Sequence, residues 1–238
     1  MSKITKYLVY SLPILVVVAG FLLFSSKDRG SSYEEGYDKK ALTELLDYAK
    51  LTELAKNRPN GEKYLQFIRE NEAALANGSA SDRNFYGETF VTLGFNLHVL
   101  GDDVAAIEAY QEGLRLLPEN SYGLNNIATS YKDLGEFEKA EAAYKKLTRV
   151  LSGDSSAVIN YAQVYRIVHP DDERGFLDII SEGISVTAGD NLANILVYAG
   201  GYFKDSGDKK RAIEYFLKLV ELFPDNELYK SELSDLKK

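Results

Sequence analysis

A short cluster of small and bulky apolar residues returns at nearly constant spacing through most of the chain, and no other feature restricts its folding so tightly. In residues 87–120 it reads Phe90-x2-Leu93-Gly94-x2-Leu97, followed by Ala106-x3-Tyr110, Gly113 and Pro118. In residues 121–154 it reads Leu124-x2-Ile127-Ala128-x2-Tyr131, followed by Ala140-x3-Tyr144 and Leu147. A third copy is Val158-x2-Tyr161-Ala162-x2-Tyr165 with Phe176-x3-Ile180 and Gly183; a fourth is Leu196-x2-Ala199-Gly200-x2-Phe203 with Ala212-x3-Phe216, Leu219 and Pro224. Apolar residues three and four apart fall on one face of a helix. Each copy therefore predicts two antiparallel helices. Gly94, Ala128, Ala162 and Gly200 let the second helix approach the first, Ala106, Ala140 and Ala212 do the same from the other side, and Tyr110, Tyr144 and Phe216 are expected to fill the space between copies.

The punctuation agrees with that division. Gly101, Gly135 and Gly207 stand where each first helix should end in a left-handed cap. Asp102, Glu136 and Asp208 then put negative charge at the start of the next helix, where its dipole favours it. In the third copy His169-Pro170 replaces the glycine, and proline stops one helix while suiting the first turn of the next. Pro118 and Pro224 lie 106 residues apart, four more than three periods of about 34. The extra residues are expected at His169–Asp172 and Thr187–Asp190, with the third pair splayed because Phe176 takes the place of a small residue.

These motifs resemble the tetratricopeptide repeat family, whose pattern is W-x2-L-G-x2-Y, then A-x3-F, then P. The resemblance covers residue 87 to the C-terminus strongly and residues 37–82 weakly. It implies an all-α fold, a solenoid of helical hairpins wound into a right-handed superhelix, with a protein or peptide bound in a concave groove lined by the first helices. On that resemblance the groove takes Phe95 and His98 from the first repeat, and Tyr122, Asn125, Asn126, Thr129 and Lys132 from the second. The third supplies Asn160, Gln163 and Arg166, and the fourth Asn194, Tyr198 and Lys204. Amides pair with extended backbone, aromatic rings give flat apolar contact, and the three cations suit an acidic segment. Family members that grip a chaperone tail use a set of Lys, Asn and Arg of which only Asn126 is present; Val91, Phe95, Ser156 and Asn160 stand at the others, so no such binding is expected.

Outside the repeats, Tyr7 to Phe24 is apolar and free of charge, long enough to cross a bilayer, with Lys3 and Lys6 before it. Residues 1–26 are thus expected to be a transmembrane anchor or uncleaved signal with a cytoplasmic N-terminus, and the repeats to lie on the extracytoplasmic, periplasmic side. A cleaved signal peptide is the alternative. Residues 27–36 read as a flexible linker, residues 37–82 as a degenerate helical pair (one helix from Tyr37 to about Lys56, a second from Glu62 to about Ala76), residues 83–226 as four repeats, and residues 227–238 as a capping helix with Leu228, Leu233 and Leu236 inward.

A net charge of -8 opposes nucleic-acid binding, which needs a concentrated basic surface. With no cysteine and two histidines, thiol catalysis and multi-histidine metal sites are excluded, and no cofactor is expected. Asp102-Asp103 and Asp171-Asp172-Glu173 read as helix starts rather than as acid–base pairs. The repeat pattern places no serine or aspartate beside His98, and Gly200-Gly201 lacks the strand that precedes a phosphate loop. The chain is therefore expected to be no enzyme. It is expected to be a membrane-tethered interaction scaffold that assembles an envelope complex; the alternative is a secreted soluble accessory subunit of an envelope enzyme that binds peptide or saccharide.

Overall fold

A computed structural model describes residues 45–78 and 82–238. The apolar segment 7–24 and the linker 27–36 lie outside these residues. Among those described, no helix is long and apolar enough to cross a membrane. All belong to one compact unit, Asp38–Lys238. They form eleven helices and no strand. In chain order these are α1 (Tyr48–Lys56), α2 (Gly61–Asn77), α3 (Arg83–Leu100), α4 (Asp103–Leu116), α5 (Ser121–Asp133), α6 (Phe137–Val150), α7 (Ser155–Val168), α8 (Glu173–Val186), α9 (Gly189–Asp205), α10 (Lys209–Leu222) and α11 (Glu227–Leu236). Each packs chiefly on its neighbours in sequence, and α3 also touches α5 as α7 touches α9. Helical hairpins in series are the result, each burying the apolar stripe of the last.

Close approach within a hairpin depends on the small residues. A Cβ added at Gly94 would stand 2.7 Å from the Tyr110 ring, and one at Gly200 would stand 2.9 Å from that of Phe216. Ala128 and Ala162 are wholly buried. Tyr144 reaches back to Thr129, its hydroxyl 3.1 Å from Oγ1. Tyr110 and Phe216 thus lie against the small residues of their own hairpins, and Tyr144 bonds to the first helix of its own.

Gly101, Gly135 and Gly207 have φ of 91°, 76° and 82°, the left-handed closure expected after α3, α5 and α9. The Asp102 and Asp208 carboxylates accept from Ala105 N and Arg211 N and so cap α4 and α10. Glu136 makes no such bond. The third hairpin differs as its spacing implied. Its turn spans residues 169–172, whereas that of the first spans only residues 101–102. Its connection to the fourth is only Thr187 and Ala188, after which α9 gains an extra first turn and reaches 17 residues. The helices α7 and α8 touch over less of their length than the other repeat pairs. Phe176, 1% exposed, occupies the position that alanine holds elsewhere.

Two elements depart from the sequence reading. Helix α1 begins at Tyr48, not Tyr37, because Leu46 and Asp47 are non-helical and the Asp47 carboxylate accepts from Ala49 N and Lys50 N at 3.1 Å. That cap starts a new helix where apolar periodicity alone continues the old one. At the other end Leu233 and Leu236 of α11 are buried but Leu228 is 66% exposed. The first turn of α11 instead docks through Tyr229, whose ring meets Phe223 edge-on at 6.0 Å.

The hairpin α1–α2 sits against the first repeat through polar contacts. Lys50 Nζ reaches the buried Asp102 carboxylate at 2.7 Å, and Asn96 Nδ2 donates to Asn71 Oδ1 at 2.9 Å.

Candidate partner-binding face

The first helices of the hairpins carry the residues assigned to the groove, but tertiary contacts divide them into free and committed side chains. Phe95 and Tyr122, from α3 and α5, bring their rings to 5.7 Å. Tyr122 is exposed enough to offer a ring face to a partner, and burial nevertheless lifts its phenol pKa while the adjoining Asn126 amide pulls it down. Asn125, Lys132 and Asn160 are half-buried, and Gln163 is exposed.

Others are held by the protein itself. Thr129 Oγ1 donates to the Asn125 carbonyl at 3.0 Å and meets the Tyr144 hydroxyl, so it serves its own hairpin. Asn194 Nδ2 donates to Ser155 Oγ at 3.2 Å, and Ser155 in turn donates to Asn191 Oδ1 at 2.8 Å. That network ties α9 to α7. Lys204 pairs with Glu232 of α11 at 2.6 Å, an acidic side chain of the chain's own making. Repeat arithmetic placed both residues on the right helices but could not foresee which neighbour would occupy them.

His98 differs most from its expected surroundings. Its Nδ1 lies 2.5 Å from Asp103 Oδ1 and 3.3 Å from Ser130 Oγ, so both residue types judged absent stand beside it. They do not make a nucleophile. A relay needs aspartate on one ring nitrogen and serine on the other, whereas here both meet Nδ1, and Ser130 has no exposed surface. The carboxylate pairs likewise act as caps: Asp172 accepts from Gly175 N and from the Tyr165 hydroxyl, which holds that phenol up near 12.

A recess on this face lies between α7 and α9. Arg166, Val197, Tyr198, Gly201, Tyr202, Asp205 and Ser206 line a recess of about 510 Å³. The Arg166 guanidinium stacks on the Tyr202 ring at 3.9 Å and lies 5.7 Å from that of Phe176. Asp205 lines the same recess, and among the described residues Arg166 makes no ion pair. Burial raises the Tyr198 phenol pKa, with the neighbouring Arg166 opposing the shift. At Gly201 an added Cβ would meet nothing within 4 Å, so packing inside the protein does not require glycine there. Tyr202 and Gly201 were not among the residues picked from sequence. The four-residue step from Tyr198 to Tyr202 on one helix face was the signal for the tyrosine.

The tetratricopeptide repeat profile matches residues 122–150, the α5–α6 hairpin, and residues 199–226, which hold the end of α9 and all of α10. The TPR repeat-containing protein MJ1428 of Methanocaldococcus jannaschii is 28% identical over 153 residues, covering 61% of this chain and 26% of that protein. The chain thus spans about a quarter of the relative's length. Among solved structures, a tetratricopeptide repeat protein from Parabacteroides merdae ATCC 43184 superposes with a TM-score of 0.55 at 19% identity, covering 79% of this chain and 72% of that one. MamA from Desulfovibrio magneticus RS-1, residues 41 to its end, gives 0.51 at 16% identity, covering 81% and 99% respectively. At such identities the likeness is one of fold. With hairpins in series and small residues at the helix crossings, this chain is similar to tetratricopeptide repeat proteins, and residues 122–150 and 199–226 are the two stretches that match the repeat profile.

Proposed function

We propose that the chain is an interaction scaffold whose first-helix face receives an extended segment of a partner protein, with an acidic side chain or chain terminus of that segment on Arg166. The Arg166 recess carries this reading. A guanidinium flattened on Tyr202, in no ion pair among the described residues and with an unhindered glycine beside it, offers both a fork for a carboxylate and room for another backbone. The Phe95–Tyr122 ring pair, two repeats away, gives the same partner an apolar foothold. We further propose that residues 7–24 tether this array to a membrane and present it on the periplasmic side, where it helps assemble an envelope complex.

A photo-crosslinking residue placed at Tyr122 in cells tests the face. A discrete adduct that is lost on Arg166→Gln with Tyr202→Ala supports the reading, whereas no adduct, or the same adduct from the exposed Lys145 on α6, overturns it. Alkaline extraction of membranes tests the tether. Release of an intact-mass chain lacking residues 1–24 supports the soluble accessory subunit in its place.

A further inference from the structure

The recess between α7 and α9 has two poles of opposite charge. Tyr198, Gly201, Tyr202 and Asp205 follow one another at short helical steps and line it together from one side of α9. Arg166 stands over the Tyr198 and Tyr202 end. Asp205, the last residue of α9, stands at the other. Gly201 lies between the two, with open space where a side chain would be.

At the first pole a hydrogen-bond acceptor is missing. The Tyr198 hydroxyl oxygen is buried, and its proton meets no acceptor among the described residues; the neighbouring Arg166 guanidinium can only donate. Burial raises the phenol pKa, so the proton stays in place at neutral pH. Buried polar groups in native proteins are rarely left so. A carboxylate set against Arg166 accepts from both.

At the second pole a cation is missing. Asp205 is exposed and in no ion pair among the described residues, because the adjoining Lys204 turns to Glu232 of α11 at 2.6 Å. An acid in the last turn of a helix also faces the negative end of the dipole, so Asp205 costs stability there. A ligand that carried acid alone would bring its charge toward this carboxylate.

Resting on the Arg166 scaffold reading, we propose that the partner's extended segment is dipolar, with an acidic side chain on Arg166 and Tyr198 and a basic side chain two residues away on Asp205. Residues two apart in an extended strand point to the same side, about 6.6 Å from each other. Tyr198 to Asp205 is about 10.5 Å of helix rise, and the length of the acidic and basic side chains covers the difference. The segment's backbone crosses over Gly201.

The experiment uses the full chain and end-blocked, dye-labelled octapeptides, followed by fluorescence anisotropy at low salt. Their central residues are Glu-Ala-Lys, Lys-Ala-Glu, Glu-Ala-Gln or Glu-Ala-Glu. At least one dipolar order should bind about two- to fivefold more tightly than Glu-Ala-Gln, the gain expected of one solvent-open charge pair, with Glu-Ala-Glu weaker still. Asp205→Asn should erase that preference, and Asp205→Lys should make Glu-Ala-Glu the preferred peptide. Asp205→Asn relieves the conflict with the helix dipole, so it should melt at or above the parent and show that the lost preference is not unfolding. Equal binding of the dipolar and Glu-Ala-Gln peptides, or a preference that Asp205→Asn leaves unchanged, overturns the proposal. If that binding is still lost on Arg166→Gln, the scaffold reading survives; absence of any Arg166-dependent binding overturns both.

Discussion

Gly200 and Gly201 are neighbours in α9 with opposite surroundings. The first faces Phe216, whose buried ring cannot retreat; the second faces open space. The same substitution should therefore have opposite signs. Gly200→Ala forces a carbon to within 2.9 Å of the ring and should lower stability by about 1–3 kcal/mol. Gly201→Ala removes only the entropic cost of glycine in a helix and should raise stability by about 0.5–1 kcal/mol. Urea denaturation of the two variants measures both signs, and in cells Gly201→Ala should also weaken the crosslinked adduct if a partner backbone lies on that glycine. Glu108 provides a test by titration. Burial first, then the nearby Asp102 charge, raises its pKa above the ordinary 4.5. The folded chain then holds that proton more tightly than the unfolded chain, so the group's penalty is absent at low pH and grows as pH rises from 4.5 through the raised value. Glu108→Gln should accordingly gain stability over the parent as pH is taken from 4 to 7, and a difference that stays flat with pH would refute the assignment.

The ends of the helices were the most legible elements, and their exceptions are informative. Glycines at 101, 135 and 207 mark three of the four hairpin turns, because a short turn of this kind needs a left-handed residue, and the acids that follow two of them, Asp102 and Asp208, cap the next helix. Asp102 carries two burdens at once, capping α4 and receiving Lys50 from α1 while only 5% exposed. Asp102→Ala should cost about 0.5–2 kcal/mol through the lost cap alone, more than the same change at the half-exposed Asp208, which loosens only α10 and the Arg211 side chain. Paired thermal melts of the two variants check the order. The start of α1 was missed although its cause is equally local. Asp47 caps in the midst of an unbroken apolar periodicity, and a period carries no record of where the backbone leaves the helix.

Across the molecule, each hairpin is stabilised by the next, and α11 closes the series over α10 with Leu233 and Leu236 buried beneath it. Removing residues 226–238 should uncover Leu219 and the last hairpin, lower the melting temperature and raise dye binding to apolar surface. In hydrogen exchange, the loss of protection should be greatest in α10 and fade toward α5, as expected where coupling runs only between neighbours. Uniform loss across all the hairpins would instead mean that the array folds as one unit. The amino-acid sequence by itself determined the helices, their pairing and the crossing residues, because a small residue facing a ring four positions beyond an alanine is a short-range steric condition repeated often enough to be seen. Tertiary structure alone decided which polar side chains stay free. Lys204 is taken by Glu232, Asn194 by Ser155 and His98 by Asp103, while Arg166 keeps its guanidinium on an aromatic ring. Those partners come from other helices, and the distance between them exists only after the hairpins have stacked.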